Sequence, residues 1–281
     1  MTTFQAIVYG IVHGFSEFPP ISASAHHILV PYLFHWPAPS GALLGALSLG
    51  TFLAVMIYFL HDWASIISSF LQILIFRRRP QSLDERLPFF IILTTLPGIA
   101  AWYYFGTKLE ELVSDPLITA AVLAGAGLPL WFADTMNRKN KGMYDWNWLD
   151  SLITGACQAL LIVPGAGRVT GAMLGASMRN YRREAAAKFV FFSSAPILFG
   201  STFLRLREVN FHAPMPMADM SWISFVLAIL MSFLAGMLAI GGFMKHVQKT
   251  GNGGGMGRYF VYRCIVATVI GAVFWIRSRS G

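Results

Sequence analysis

The chain has 281 residues, 56% of them hydrophobic and only 12% charged, with a mean hydropathy of +0.58. A soluble domain carries about 25% charged residues, so this composition excludes an ordinary soluble enzyme and suits a bundle of membrane spans at about 20 residues each. The net charge of +8 sits in short loops and forms no basic stripe interleaved with aromatics, which argues for membrane topology and against a nucleic-acid partner.

The first 40 residues hold one acid, Glu17, and no Lys or Arg, so the N-terminus lacks the basic region of a cleaved signal peptide. An apolar stretch over Phe4–Tyr32 is interrupted at Pro19–Pro20. Spans are predicted over Ala42–Leu60, Leu87–Phe105, Pro116–Phe132, Ala185–Phe203 and Trp222–Phe243, and a sixth over Tyr259–Ile276 after the flexible linker Gly251–Gly257. Ala64–Phe76 is apolar but short, and suits a surface or partly inserted helix. A second broken stretch, Leu152–Met178, is interrupted at Pro164–Gly165. Breaks at membrane depth are tolerated only where protein or a cavity surrounds the exposed backbone. Both stretches therefore read as re-entrant hairpins, approximately 4–32 and 152–178. Cys157 and Cys264 lie in apolar segments and read as packing residues.

Loop charges orient these elements. Arg77–Arg79, Arg138/Lys139/Lys141, Arg179/Arg182/Arg183/Lys188 and Lys245/Lys249/Arg258 share the cytoplasmic side, which leaves Glu110/Glu111/Asp115 and the Asn210–Met220 loop outside. Arg277 and Arg279 land outside, against the rule. The two hairpins then enter from opposite faces. A weak internal echo accompanies them: at a constant offset of 145 residues Gly10 meets Gly155, His13 meets Gln158 and Pro19 meets Pro164. The expected fold is an all-α integral membrane protein, one transmembrane domain over residues 1–281, with about six transmembrane helices plus two re-entrant helical hairpins in an inverted-repeat arrangement. Such folds often place a site where the repeats meet, near the midplane.

Two polar clusters stand out in this greasy chain. In GIVHGFSEFPPISASAHH, Glu17 is accompanied by His13, His26, His27, Ser16, Ser22 and Ser24. His13 and Glu17 are four apart and share a helix face. Beyond the prolines, Ser22, Ser24 and His26 alternate, and in an extended segment they point the same way. That pattern sets Glu17 against a histidine and the histidine against a serine hydroxyl, the relay that activates a nucleophile. Membrane acids face a cavity or a partner, so Glu17 reads as functional, with Mg²⁺ or Ca²⁺ as the cation its hard oxygen suits. His27 and His35 read as packing or surface residues. In LLIVPGAGRVTGAMLGASM, Arg168 is the lone charge. Its planar fork matches phosphate oxygens, Thr170 adds a hydroxyl, and Gly165 and Gly167 let backbone N–H groups converge. The competing assignment pairs Arg168 with Glu17 as structural glue. A Walker loop is ruled out by the missing GKS/T ending.

At these two segments the chain resembles the bacterial undecaprenyl pyrophosphate phosphatase family, once called bacitracin-resistance proteins. The family's GxxEGxTEFLPVSSTGH is similar to GIVHGFSEFPPISASAH here, and its PGxSRSGAT to PGAGRVTGA. The resemblance covers the whole chain. It implies a homodimeric, multi-pass enzyme of the bacterial inner membrane that hydrolyses undecaprenyl diphosphate to the monophosphate carrier with divalent-cation help, at a site facing the periplasm. Glu17 matches the family's second acid, His26 its signature histidine and Arg168 its signature arginine. His13 stands where the first acid would be. Ser22 and Ser24 match the first and third residues of the SST triplet, and Ala23 replaces the second, the family's favoured nucleophile. Gly167 and Val169 replace both serines flanking the arginine.

The resulting expectation is a polyprenyl diphosphatase. Arg168, Thr170, Gly165, Gly167 and His13 hold the diphosphate, Glu17 and His26 orient or activate the nucleophile, and Ser24 attacks in preference to Ser22. His26 or His13 activating water, or attacking phosphorus, stays open. The alternative is a flippase or transporter that binds the lipid phosphate without cleaving it.

Overall fold

A proline pair in one, a Pro–Gly step in the other and short helices in both, rather than charge, separate the two hairpins from the spans. The computed structural model describes residues 1–77, 79–112, 115–207, 209, 220–250 and 255–280, without the side chains of residues 106–112, 161–162 and 280. The side chains of Glu110 and Glu111, residues 210–219 of the Asn210–Met220 loop and residues 251–254 of the Gly251–Gly257 linker thus lie outside the described residues. Six described helices are long and apolar enough to cross a membrane: α3 (Gly41–Tyr58), α5 (Leu83–Leu112), α6 (Pro116–Met136), α9 (Arg183–Leu206), α10 (Trp222–Lys249) and α11 (Gly257–Ser280). They match the six expected spans and mostly run past their predicted ends, because an apolar criterion stops where a polar cap takes over. Ser40 caps α3 by accepting from Leu43 N at 3.4 Å, and Asp115 caps α6 by accepting from Leu117 N at 2.7 Å.

The first hairpin is α1 (Thr3–Glu17) and α2 (Ala23–Phe34); the second is α7 (Trp148–Gln158), a 3₁₀ turn at Ala159–Ile162, and α8 (Arg168–Met178). With 12 residues, α2 rises about 18 Å, too short for a hydrocarbon core of about 30 Å. The helix α4 (Leu60–Phe76) buries only Trp63, Ile66 and Ile73, and leaves Ile67, Leu71, Leu74 and Phe76 exposed, as a partly inserted helix requires. Among the described residues the only β-pairing is the isolated bridge between Lys141 and Tyr181.

The internal echo is structural. α2 starts at Ala23 and α8 at Arg168, the same 145-residue offset. Their N-caps, Ser22 (φ 69°) and Gly167 (φ 85°), both take the left-handed conformation and touch one another. A Cβ on Gly167 would lie 3.0 Å from Ser22 Cβ, so the position demands glycine twice over, for its φ and for its space. The paired glycines of the first arms do the same job: a Cβ on Gly10 would come within 2.9 Å of Ala228 O on α10, and one on Gly155 within 2.5 Å of Thr94 O on α5. Each hairpin is thereby pressed against one long helix.

The main core gathers Phe18, Phe59, Phe191, Phe192 and Phe243 in edge-to-face contacts where α1, α9 and α10 meet. On the expected cytoplasmic side, two of the basic loop groups are tied down. Arg183 makes a two-pronged pair with buried Asp134 at 2.6 and 2.7 Å, and buried Asp150 accepts from Arg179, Lys141 and Tyr181. Burial and the Asp150 bond hold the Tyr181 phenol well above its ordinary pKa. The exceptional Arg277 has a local reason as well: it donates to the end carbonyls of α2, Tyr32 O at 2.8 Å and Leu33 O at 3.3 Å, and so serves as a C-terminal cap.

Candidate active site

Pro19 of the first break and the turn that follows the second, from Gly167, line one cavity of about 650 Å³. Its floor is the end of α1 and the first turns of α2 and α8, so the positive ends of two half-helices converge on it. Ser22, Ala23 and Ser24 come from one turn and Gly167, Arg168, Val169 and Thr170 from the other. The outer wall is contributed by the start of α3 and by the C-terminal halves of α5 and α9, with Arg205 on α9 and Arg207 just past its end. Between α5 and α9 the wall is apolar, through Ile99, Trp102 and Leu204, and Phe199 and Phe203 on α9 are exposed.

Arg168 is buried at 8% exposure, and its Nη2 donates to Glu17 Oε1 at 2.6 Å across the two hairpins. The pairing proposed from sequence as glue therefore exists, but it does not exhaust the side chain. Nη1 of Arg168 is buried and has no hydrogen-bond partner among the described residues. An unpaired guanidinium N–H in a low-dielectric site is costly, and an anion entering this cavity would satisfy it.

The serines sit together. Ser22 Oγ caps α2 by accepting from Ala25 N at 3.4 Å and lies 3.1 Å from Ser24 Oγ. Ser16 also lines the cavity, but its hydroxyl is spent on Val12 O at 2.6 Å. The expected relay from Glu17 through His26 to a serine is not formed. The segment after the prolines is helical from Ala23 rather than extended, so His26 rotates off the line of Ser22 and Ser24. Its Nδ1 meets Ser22 O at 2.8 Å and its Nε2 meets Tyr262 Oη at 2.8 Å, outside the cavity wall. His27 takes the place expected of His26. It lines the cavity, and its Nε2 lies 3.0 Å from Nδ1 of His13, with the two rings stacked. The reading of His27 as packing or surface is corrected accordingly, whereas His35 is exposed beside Arg277.

Two further expectations change. Gly165 is not on the cavity: a Cβ there would strike Thr119 O at 2.6 Å, and its carbonyl accepts from Arg263 Nη2 at 2.6 Å. Thr170 lines the cavity, but its Oγ1 accepts from Arg263 Nη1 at 2.6 Å. Arg263 was absent from the sequence reading. It is fully buried and also donates to Leu123 O at 2.5 Å, Pro20 O at 3.0 Å and Ala166 O at 2.8 Å, joining both breaks to α6. A signal for it existed: it is the one charged residue in the Tyr259–Ile276 span.

For Mg²⁺ or Ca²⁺, Glu17 is the only carboxylate on the cavity wall described, and one of its oxygens is held by Arg168. Among the described residues no group of three His, Cys, Asp or Glu has metal-holding geometry. These residues do not make a resident cation site, and no step is assigned to one.

Comparison with known proteins finds relatives over nearly the whole sequence. Relatives named undecaprenyl-diphosphatase are 36% identical over 280 residues in Moorella thermoacetica and 31% over 278 residues in Desulforudis audaxviator, each alignment covering 99% of this chain and 100% of the relative. One from Caldicellulosiruptor bescii is 35% identical over 279 residues, with the same coverage. Residues 6–270, from the first hairpin into the last span, match the family described as Bacitracin resistance protein BacA, and the chain belongs to that family.

Proposed function

We propose that this multi-pass membrane protein hydrolyses undecaprenyl diphosphate to the monophosphate carrier and inorganic phosphate. The observation that carries the reading is Arg168, which lines a cavity where two helix N-termini converge and whose buried Nη1 has no partner among the described residues. An anionic diphosphate supplies what that floor lacks. The prenyl chain leaves through the apolar wall between α5 and α9, so the scissile bond stays at the floor while the tail remains in lipid. Arg168 stabilises the charge that grows on the transferred phosphoryl group, and the helix ends add fixed positive potential. Ser24 is the proposed nucleophile, with Ser22 as its neighbour. Movement of the lipid without cleavage is the less favoured alternative, because the relatives above are named for hydrolysis.

The reading extends to place and assembly. The cavity wall uses the C-terminal halves of α5 and α9 and the start of α3, the halves that loop charge assigns to the non-cytoplasmic side; this supports an inner-membrane enzyme whose site faces the periplasm. A homodimer follows from the family resemblance, and no nucleic-acid partner is invoked. The role proposed for Mg²⁺ or Ca²⁺ is confined to an ion carried in on the diphosphate, with Glu17 as its one protein carboxylate.

The deciding experiment measures inorganic phosphate released from undecaprenyl diphosphate by the purified protein. We expect Ser24→Ala to lower release by about 10³-fold or more while lipid binding persists, as removal of a nucleophile does. Ser22→Ala is expected to cost about tenfold, from a helix cap worth about 1 kcal/mol and a lost hydroxyl neighbour. Equal rates for wild type and Ser24→Ala would remove Ser24 as nucleophile, and no release from lipid-bound wild type would move the function to transport. Chelation gives an independent check. Excess EDTA should reduce turnover and leave the thermal midpoint of the lipid-free protein unchanged, since no resident ion supports the fold.

A further inference from the structure

The His13–His27 pair has a direction that the hydrogen bonds around it determine. Thr51, on α3, is within reach of Ser48 O at 3.1 Å and Leu47 O at 3.3 Å, so its single hydroxyl proton is committed to a backbone carbonyl. Toward His13 Nε2, 3.3 Å away, the Thr51 oxygen can then only accept. Neutral His13 therefore carries its proton on Nε2 and a lone pair on Nδ1. The partner at Nδ1 is His27 Nε2 at 3.0 Å, which must be the donor. That leaves the lone pair of His27 on Nδ1, and His27 is one of the residues lining the cavity. His27 follows Ser24 by three residues within α2, so the two side chains share a helix face, and both line the cavity. The groups that face the pair are Glu17 from α1, Arg168 from α8, Arg205 from α9 and His26 from α2 itself.

We propose that His27 is the proton acceptor for Ser24, and that His13 and Thr51 are positioning residues that hold it in the accepting tautomer. This rests on the phosphatase reading above. In the first step the Ser24 hydroxyl proton moves to His27 Nδ1 and Ser24 Oγ bonds to the terminal phosphorus. The bond from that phosphorus to the bridging oxygen breaks, and undecaprenyl monophosphate leaves with the electron pair, needing no proton. In the second step water attacks the phosphoserine, its proton passes to His27 as His27 returns the first to Ser24 Oγ, and inorganic phosphate departs. His27 then releases the remaining proton to solvent. Where the family has an acid, His13 serves here as the acceptor that sets the orientation of His27, so the substitution and the second histidine form one unit.

The test compares kcat, KM and the pH dependence of phosphate release for full-length wild type, His27→Asn, His27→Ala and Thr51→Val. We expect His27→Asn to lower kcat by about 10²–10³-fold with KM nearly unchanged, and to abolish the acid-side fall of kcat expected of the wild type. Added imidazole should restore His27→Ala at least about tenfold, a recovery that a packing role does not produce. Thr51→Val should displace the acid limb by freeing the His13 tautomer. His27→Asn that keeps kcat within about threefold, together with its acid limb, overturns the assignment while leaving the phosphatase reading intact. A His27 variant that fails to fold passes the decision to Thr51→Val, whose unmoved acid limb overturns it equally. Absence of release by wild type overturns the phosphatase reading and this one with it.

Discussion

Arg168→Ala should lower phosphate release by about 10³-fold or more, a loss matched among the cavity residues only by Ser24→Ala, as is usual for an arginine that stabilises phosphoryl-transfer charge. The argument is one of charge and geometry. Nη2 is engaged with Glu17 at 2.6 Å, and Nη1 is buried with no partner among the described residues. Truncation also strands the Glu17 carboxylate, so part of any loss would come from an uncompensated buried charge. The double variant Arg168→Met/Glu17→Gln separates the two effects, because it removes the pair without leaving a charge behind. Near-normal release from that variant would reduce Arg168 to structural glue. Arg168→Lys keeps the charge but loses the fork, and about 10² of the loss should remain. Phosphate release and lipid binding measured on the same preparations read out both quantities.

Arg263→Met is expected to produce the largest loss of stability, about 3–5 kcal/mol. The Arg263 guanidinium donates to five oxygens, four of them main-chain carbonyls at or beside the two breaks and on α6. Main chain that leaves the helical ladder inside a membrane needs a partner, and an unmet buried group costs about 1–3 kcal/mol. Removing one side chain releases both turns together. Arg263→Lys should recover only part of the loss, since an ammonium is a point donor that cannot span five acceptors. The measurement is reversible unfolding in mixed micelles, with phosphate release followed in parallel. A variant with unchanged unfolding midpoint and unchanged release would show that the turns hold their shape without Arg263.

Much of this architecture is legible from residue order. Unbroken apolar runs of membrane length have few ways to satisfy their backbone other than as helices, so the six spans follow directly. Pro19–Pro20 and Pro164–Gly165 halt two of the remaining runs for reasons of covalent geometry that need no tertiary context. Glu17 and Arg168 announce themselves because isolated charges at membrane depth require partners, and they are each other's partner. The choice between His26 and His27 was not legible. Adjacent residues on a helix point about 100° apart, so the outcome depends on where α2 begins. An extended segment through Ser22–His26 would have aligned Ser24 with His26; the helix that starts at Ala23 aligns Ser24 with His27. Arg263 was hidden for a different reason, since its partners are mostly backbone carbonyls, and carbonyls carry no sequence pattern. Local sequence thus determined which segments cross, which turn back and which charges matter. Only the packing of α11 and the two breaks decided which nitrogen faces which oxygen, because that depends on helix phase and on contacts between residues far apart in the chain.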